Sequence, residues 1–152
     1  MKIKFCRIFT LVFLSFICLN CIHTSEAGYV KIRNYDDYSY VIFKNQKTKT
    51  VTIYNYTGTD KKIIIPSIIN ELPVTAINKN AFSKKQLISV VIPEGIEIIG
   101  DYAFSNNFLD EVILAKSVTS IGNYAFTNNN LTKLILHDNI TYIGSNAFLK
   151  TN

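Results

Sequence analysis

The dipeptide Ala-Phe recurs in the second half of the chain at a constant interval of 22 residues. Its four copies are Ala81-Phe82, Ala103-Phe104, Ala125-Phe126 and Ala147-Phe148. An isoleucine four residues before each alanine keeps the same interval, and so does a leucine five residues after each of the first three phenylalanines. An interval in the twenties predicts a solenoid, because a unit of that size cannot bury its own apolar face and packs on its neighbours instead.

Alternating apolar residues within each unit predict short strands, since alternation is typical of a strand with one buried face. The pairs are Val90 and Ile92, Val112 and Leu114, and Leu134 and Leu136. We predict parallel strands at about 63–66, 90–93, 112–115 and 134–137. The glycine that follows the isoleucine in the last three copies, together with the alanine of all four, predicts a sharp turn into a short helical or 3₁₀ segment. The predicted fold is therefore an α/β repeat solenoid.

Two stretches resemble a known repeat family. The runs IPEGIEIIGDYAF at 92–104 and VTSIGNYAF at 118–126 are similar to the BspA-type leucine-rich repeats, known from surface proteins of bacteria such as treponemes and from some protozoa. The resemblance extends over residues 38–152. It implies a leucine-rich-repeat solenoid in a surface protein that adheres to host matrix proteins or to other cells. The sequence departs from the family pattern at Asn78, where glycine is usual, and at Ala115 and His137, which stand where prolines stand in the earlier units.

The first twenty residues predict a secretory signal peptide, with three basic residues before an apolar run at 8–19. That run is shorter than the ~20 residues that a membrane-spanning helix needs. Leu19-Asn20-Cys21 resembles a relaxed bacterial lipobox, which predicts a lipid anchor on Cys21 in the outer membrane or at the cell surface. The alternative is cleavage near Ala27-Gly28, which would leave a secreted protein without an anchor.

The cysteines and histidines predict no metal site and no enzyme. Cys18 and Cys21 have the two-residue spacing of redox and zinc motifs, but both lie at the end of the predicted signal peptide. The chain has no second cysteine pair and only two histidines, His23 and His137, so that neither a four-ligand metal site nor a thiol redox centre can be assembled. No serine, cysteine or carboxylate constellation recurs beside His137 that would make it the base of a nucleophile. We therefore expect no catalytic residues, no metal and no cofactor.

The charge of the chain also excludes a class of partner. The formal net charge of +5 includes the three basic residues of the signal peptide, and without them 13 basic residues face 11 acidic ones, a net charge of +2. Such a chain has little electrostatic attraction to nucleic acid, and it carries no aromatic and basic motif of a nucleic-acid-binding module. We therefore predict no nucleic-acid partner.

Two segments precede the repeats. Residues 21–37 are polar and are predicted to be a tether. In the unit at 38–62, β-rich runs at 38–43 and 50–56 flank a basic segment and predict a hairpin that caps the first repeat. The alternative for this region is a tyrosine-rich binding surface built from Tyr35, Tyr38, Tyr40, Tyr54 and Tyr56.

The outward side chains of successive strands should align in columns, which gives a candidate binding face. The first column is polar and contains Lys62, Ser89, Glu111 and Lys133. The second is β-branched and contains Ile64, Val91, Ile113 and Ile135. The third contains Pro66, Pro93, Ala115 and His137. The apolar column has two interpretations: favourable packing within the sheet, or a groove for a protein ligand such as a host matrix protein or another cell-surface protein.

The repeat region at 63–152 stops before the strand that would complete its fourth unit, so the last repeat is predicted to be incomplete. The strand predicted at 134–137 would then have a free edge, and free edges favour pairing with another chain. Two alternatives to an adhesion module follow. One is a structural or assembly lipoprotein that self-associates through this end, and the other is a non-functional remnant of a longer repeat protein.

Overall fold

The computed structural model describes residues 31–44, 46–132 and 134–151, together with the backbone of residues 24–25 and 28–29. The chain divides into a first unit, residues 1–30, and a second unit, residues 31–152. In the first unit, β1 (Thr24–Ser25) and β2 (Gly28–Tyr29) form an antiparallel pair. The predicted signal peptide and Cys21 lie outside the described residues. Within the described part of the chain, no helix has the length and apolar character needed to cross a membrane.

The second unit is a β-solenoid of about four turns with two rows of parallel strands. Its strands are β3 (Arg33–Tyr35), β4 (Tyr38–Lys44), β5 (Lys49–Tyr56), β6 (Lys62–Ile64), β7 (Ile68–Ile69), β8 (Leu72–Ile77), β9 (Ser89–Ile92), β10 (Ile98–Ile99), β11 (Glu111–Leu114), β12 (Ser120–Ile121) and β13 (Tyr142–Ile143). One row is β6-β9-β11, and its register pairs Val91 with Ile64 and with Ile113. These strands confirm the predicted parallel strands of the first three units.

The second row was not predicted. It runs β5-β8-β10-β12-β13, with β4 and β3 continuing the same sheet beyond β5, and its register pairs Ile99 with Ile77 and with Ile121. The sequence signal for this row is the isoleucine that precedes each repeat glycine. In most of the turns the strand is only two residues long, so that no alternation of apolar and polar residues can reveal it.

The repeated phenylalanines form a stacked column through the core, as the 22-residue interval predicts. Phe82, Phe104 and Phe126 are all 0% exposed. Their ring centroids lie 4.9 Å apart between Phe82 and Phe104 and 5.2 Å apart between Phe104 and Phe126. Phe148 continues the column at 5.5 Å from Phe126. Apolar residues of neighbouring turns complete a continuous core, which no single turn could form.

The prediction of short helical or 3₁₀ segments is not confirmed, because the described residues contain no helix and these segments are turns. In each copy the residue before the alanine has a positive φ: Asn80 60°, Tyr102 55°, Tyr124 54° and Asn146 56°. A left-handed residue stops a right-handed helix from extending. Backbone hydrogen bonds therefore run between turns, as where Phe104 N donates to Ala125 O at 2.8 Å.

The repeat glycines are required for the close approach of successive turns. A Cβ on Gly122 would lie 2.6 Å from the backbone atoms Asp101 N and Gly100 C. Such a contact cannot be relieved by a side-chain rotation, since both neighbours are backbone. Asn78, the first-copy equivalent, makes the same kind of backbone hydrogen bond, since its N–H donates to Ile53 O at 2.8 Å, but this acceptor lies in the hairpin strand β5 and not in a repeat turn.

The strands β4 and β5 form an antiparallel hairpin at the predicted place, and β5 pairs in parallel with β8. Tyr40 and Tyr56 are 2% and 1% exposed, and Tyr56 stacks on Phe82 at 5.6 Å. The tyrosine-rich surface considered from the sequence is therefore not formed, since two of its five members belong to the core. The end of the segment predicted as a tether is also part of the sheet, because β3 pairs with β4.

Candidate protein-binding face

The outward columns predicted from the sequence lie on one face of the sheet β6-β9-β11. The register places Lys62 beside Ser89 and Ser89 beside Glu111. In the neighbouring column, Ile64 is 71% exposed and Ile113 is 50% exposed, with Val91 paired to both. The structure therefore brings the first three members of each of these two columns together. Lys133, the fourth member of the polar column, lies outside the described residues.

The fourth row departs from the prediction, because residues 134–137 form no strand. Leu136, expected to point inward, is 41% exposed, and Ile135 is 56% exposed. The place of a fourth strand is taken by a cavity of about 200 Å³. Its lining consists of Glu111, Val112, Ile113, Leu114, Ile135 and His137.

The side chain of His137 accounts for part of this departure. In the preceding turn, Ala115 N donates to Ile92 O at 3.1 Å, and the 22-residue interval would have His137 N donate to Leu114 O. Instead the ring atom Nε2 of His137 lies 3.0 Å from Leu114 O. A carbonyl oxygen only accepts, so Nε2 carries the proton of this hydrogen bond. The imidazole thus replaces one backbone hydrogen bond of the expected strand.

Three ionisable groups with shifted pKa values lie near the first repeat, and one of them is Tyr56, whose pKa is raised by burial and then by the charges of Asp60 and Asp37. Burial, followed by the negative charges of Tyr56 and nearby aspartates such as Asp37, raises the pKa of Tyr38 to about 12. Tyr38 is therefore a neutral donor at physiological pH, and its hydroxyl donates to Ile64 O at 3.5 Å. Burial lowers the pKa of Lys85. The tyrosine hydroxyl connects the hairpin to the first strand of the face.

Two buried asparagines support the turns behind the face, where amide side chains are expected to satisfy turn backbone. Asn107 and Asn129 are 4% and 3% exposed. Asn107 Oδ1 accepts from the backbone N–H groups of Lys85 and Leu87 at 2.9 and 3.1 Å. Asn129 Oδ1 likewise accepts from Leu109 N at 3.1 Å. The available signal was their common place, three residues after successive repeat phenylalanines.

The face has no arrangement for metal chemistry among the described residues, since no three His, Cys, Asp or Glu side chains are grouped so as to hold an ion. The face can bind through non-covalent contacts, since it has exposed aliphatic side chains, a lysine and a glutamate at its edge, and a shallow cavity. Every buried side-chain nitrogen and oxygen within the described ranges has a hydrogen-bond partner.

A model of the BspA type leucine rich repeat region (6 copies) matches residues 75–152. Among solved structures, the chain is similar to a T. pallidum leucine rich repeat protein, with 22% identity, a TM-score of 0.65 and coverage of 78% of this chain and 67% of that one. A leucine-rich repeat protein from Bacteroides capillosus is 22% identical, with a TM-score of 0.64 and coverage of 79% and 95%. No curated protein matches. At these identities the solved structures show the fold alone, a leucine-rich-repeat solenoid.

Proposed function

The chain belongs to the BspA-type leucine-rich repeat family, and we propose that it binds a protein partner on the face formed by β6, β9 and β11. Proteins of this repeat class are typically protein-interaction modules and are generally not enzymes. The observation that carries the proposal is the exposed isoleucine column. Ile64 and Ile113 keep 71% and 50% of their surface in contact with water although both lie in a regular sheet.

Packing within the sheet, the other interpretation of this column, explains only part of its composition. Cross-strand contacts between β-branched side chains stabilise a sheet by roughly 0.2–1 kcal/mol per pair. Those contacts leave at least half of the surface of Ile64 and Ile113 exposed. Exposed apolar patches with polar borders mark interaction sites, and Lys62 and Glu111 form such a border beside the column. The charged border would select the partner more than it would strengthen binding.

The hairpin of β4 and β5 has a supporting role in this proposal, as the cap of the array. A solenoid needs such a cover because the core of its first turn would otherwise meet water. Tyr56 stacks on Phe82, and the ring of Phe82 is 0% exposed. The rings of Tyr38 and Phe82 pack edge to face, with their centroids 6.3 Å apart. These contacts support a capping role for the hairpin and leave the binding face to the repeats.

The predicted signal peptide and the lipobox-like Cys21 support a location at the cell surface. A protein exported by the signal peptide at 1–20 and anchored by a lipid on Cys21 would present its repeats at the cell surface. A partner on a host matrix or on another cell would then be within reach. The proposed function is therefore adhesion at the cell surface through a protein-binding face.

Replacing Ile64 and Ile113 together by lysine is expected to weaken binding to the partner by about tenfold or more, because two charges would replace the exposed apolar column. The measurement is surface plasmon resonance against immobilised matrix proteins such as fibronectin, laminin and collagen. The control is Ile98→Lys, since Ile98 is 49% exposed but lies in β10, in the other row of strands. Equal binding by the double variant and the unchanged chain would remove this face from the proposal.

Replacing Cys21 by serine is expected to abolish incorporation of a fatty-acid label, because serine cannot take the place of the cysteine thiol in lipoprotein processing. Bacteria that express the full chain would be grown with an alkyne analogue of palmitate, and the labelled protein detected on a gel. Cys18→Ser is the matched control and should keep the label. Label that persists in Cys21→Ser would refute the anchor, and a mature chain beginning near Gly28 would support plain secretion instead.

A further inference from the structure

The free edge of β11 carries backbone groups that a fourth strand would have paired. The strand order β11-β9-β6 places β11 at the edge of its sheet. Ala115 N points toward β9, since it donates to Ile92 O at 3.1 Å, whereas Leu114 O points away from β9 to the ring of His137. Backbone groups of successive strand residues alternate between the two sides. The N–H groups of Val112 and Leu114 and the carbonyl of Val112 therefore face the cavity.

The following segment of the chain does not close this edge. Leu131 is buried before it, and after it Asn139 Nδ2 donates to Lys116 O at 2.8 Å, so both ends of the segment are fixed to the preceding turn. Among the described residues, no backbone hydrogen bond joins 134–137 to 111–114. The ring of His137 already occupies Leu114 O. The segment is thus held beside the edge with a cavity between the two.

We propose that this edge accepts an extended segment of a partner protein as an added strand, with a basic residue beside Glu111 and an aliphatic residue beside Ile113. This proposal rests on the proposed protein-binding function and names the kind of partner. Addition of a strand to a free edge is a common mode of peptide recognition, in which backbone hydrogen bonds give affinity and alternate side chains give specificity. Among the described residues, no backbone group pairs with the N–H groups of Val112 and Leu114 or with the carbonyl of Val112, and these groups form such an edge.

The chemistry of the cavity specifies the side chains of the added strand. A volume of about 200 Å³ is suited to one or two side chains, whereas pockets for whole drug-sized ligands have roughly 300–1,000 Å³. Glu111 and Ile113 are two residues apart and lie on the same side of the strand. Glu111 is exposed and would attract a cation, while Ile113 and Ile135 offer apolar surface. The fitting pattern is a basic residue, any residue, and then an aliphatic residue.

The test uses the full chain and a synthetic hexapeptide, acetyl-Thr-Lys-Val-Ile-Val-Thr-amide, with a second peptide in which glutamate replaces the lysine. Calorimetric titration is expected to show about fivefold or more tighter binding of the lysine peptide, since opposite charges would then face each other across the added pair. Glu111→Lys should reverse this preference. Glu97→Lys, a change at an exposed glutamate beside β10, should leave the preference as it was.

Hydrogen exchange supplies a second measurement that does not depend on a variant. Binding of the lysine peptide should slow exchange at the amides of Val112 and Leu114, and N-methylation of the peptide backbone at alternate residues should abolish both the slowing and the binding. Peptide binding without slower exchange at these amides would overturn the edge proposal. So would a preference that is not reversed by Glu111→Lys.

Two other occupants would be recognised in the same experiments. Slow exchange at Val112 and Leu114 in the free, monomeric chain would mean that residues 134–137 close the edge, and slow exchange in a dimer detected by light scattering would mean that a second copy does. Either result overturns the proposal. Ile98→Lys, a change in β10 of the other row of strands, should not change peptide affinity. If the matrix experiment succeeds and the peptide does not bind, the edge proposal alone fails, whereas failure of both would remove the binding function as well.

Discussion

Replacing Phe104 by alanine is expected to lower the free energy of unfolding by about 3–5 kcal/mol. The side chain is 0% exposed, and its ring lies between two others, with centroids 4.9 Å from Phe82 and 5.2 Å from Phe126. Alanine would leave a cavity at the centre of the column and remove both stacking contacts, each worth about 0.5–1.5 kcal/mol beyond area burial. Since each turn of a solenoid is stabilised by its neighbours, the loss would uncouple the turns on either side.

The measurement is urea unfolding followed by circular dichroism, with the free energy taken by linear extrapolation. Phe108→Ala is the matched control, because Phe108 has the same side chain in the same turn but is 57% exposed. A surface change of this kind should stay within about 0.5 kcal/mol. Equal loss of stability in the two variants would contradict the stacked core, and so would a change below about 1 kcal/mol for Phe104→Ala.

The register of the solenoid could be predicted because its period is written directly in the sequence. Residues 22 apart, such as Val91 and Ile113, are cross-strand neighbours, and the interval alone gives that pairing. The predicted helical segments are not confirmed, because Tyr102 and Tyr124 in these turns adopt positive φ angles of 55° and 54°, which tyrosine does not signal in a sequence. Local propensity gives no indication of these angles at the tyrosines, although asparagine, which favours positive φ, stands at the same position in the first and fourth copies.

The binding face could be predicted as far as the repeat pattern of the sequence extends. The pairing of Val91 with Ile113 follows from alternation and period together, whereas Ile64 stands 27 residues before Val91 and was placed by alternation alone. The fourth strand could not be predicted in this way. An interior turn has a neighbouring turn on both sides, whereas residues 134–137 have a described strand on one side only. If the period is extended to this turn, a backbone N–H is expected to donate to Leu114 O. The ring of His137 takes the place of that donor, and a side chain that does so leaves no periodic signal in the sequence.

The buried asparagines show that the turns depend on polar groups as much as on the phenylalanine column. Asn107 accepts from two backbone N–H groups, and its Nδ2 donates to Phe82 O at 2.9 Å and to Phe104 O at 2.8 Å. One side chain thus satisfies backbone groups of two successive turns. These turns contain no helix and no strand at this point, so that Lys85 N, Leu87 N and Phe82 O would otherwise lack this partner, whereas Phe104 O would keep its hydrogen bond from Asn129 Nδ2 at 3.0 Å.

Replacing Asn107 by leucine is therefore expected to lower the free energy of unfolding by about 4 kcal/mol, although leucine has a similar volume and is more apolar. Each buried backbone group that loses its partner costs about 1–3 kcal/mol, which outweighs the gain from burying a larger apolar surface. The same urea unfolding experiment measures the change. Asn130→Leu serves as the control, since Asn130 is exposed and should change stability by no more than about 0.5 kcal/mol. If Asn107→Leu were neutral or stabilising, the amide could not be what holds the turns together, and apolar stacking alone would have to account for the rigidity of the binding face.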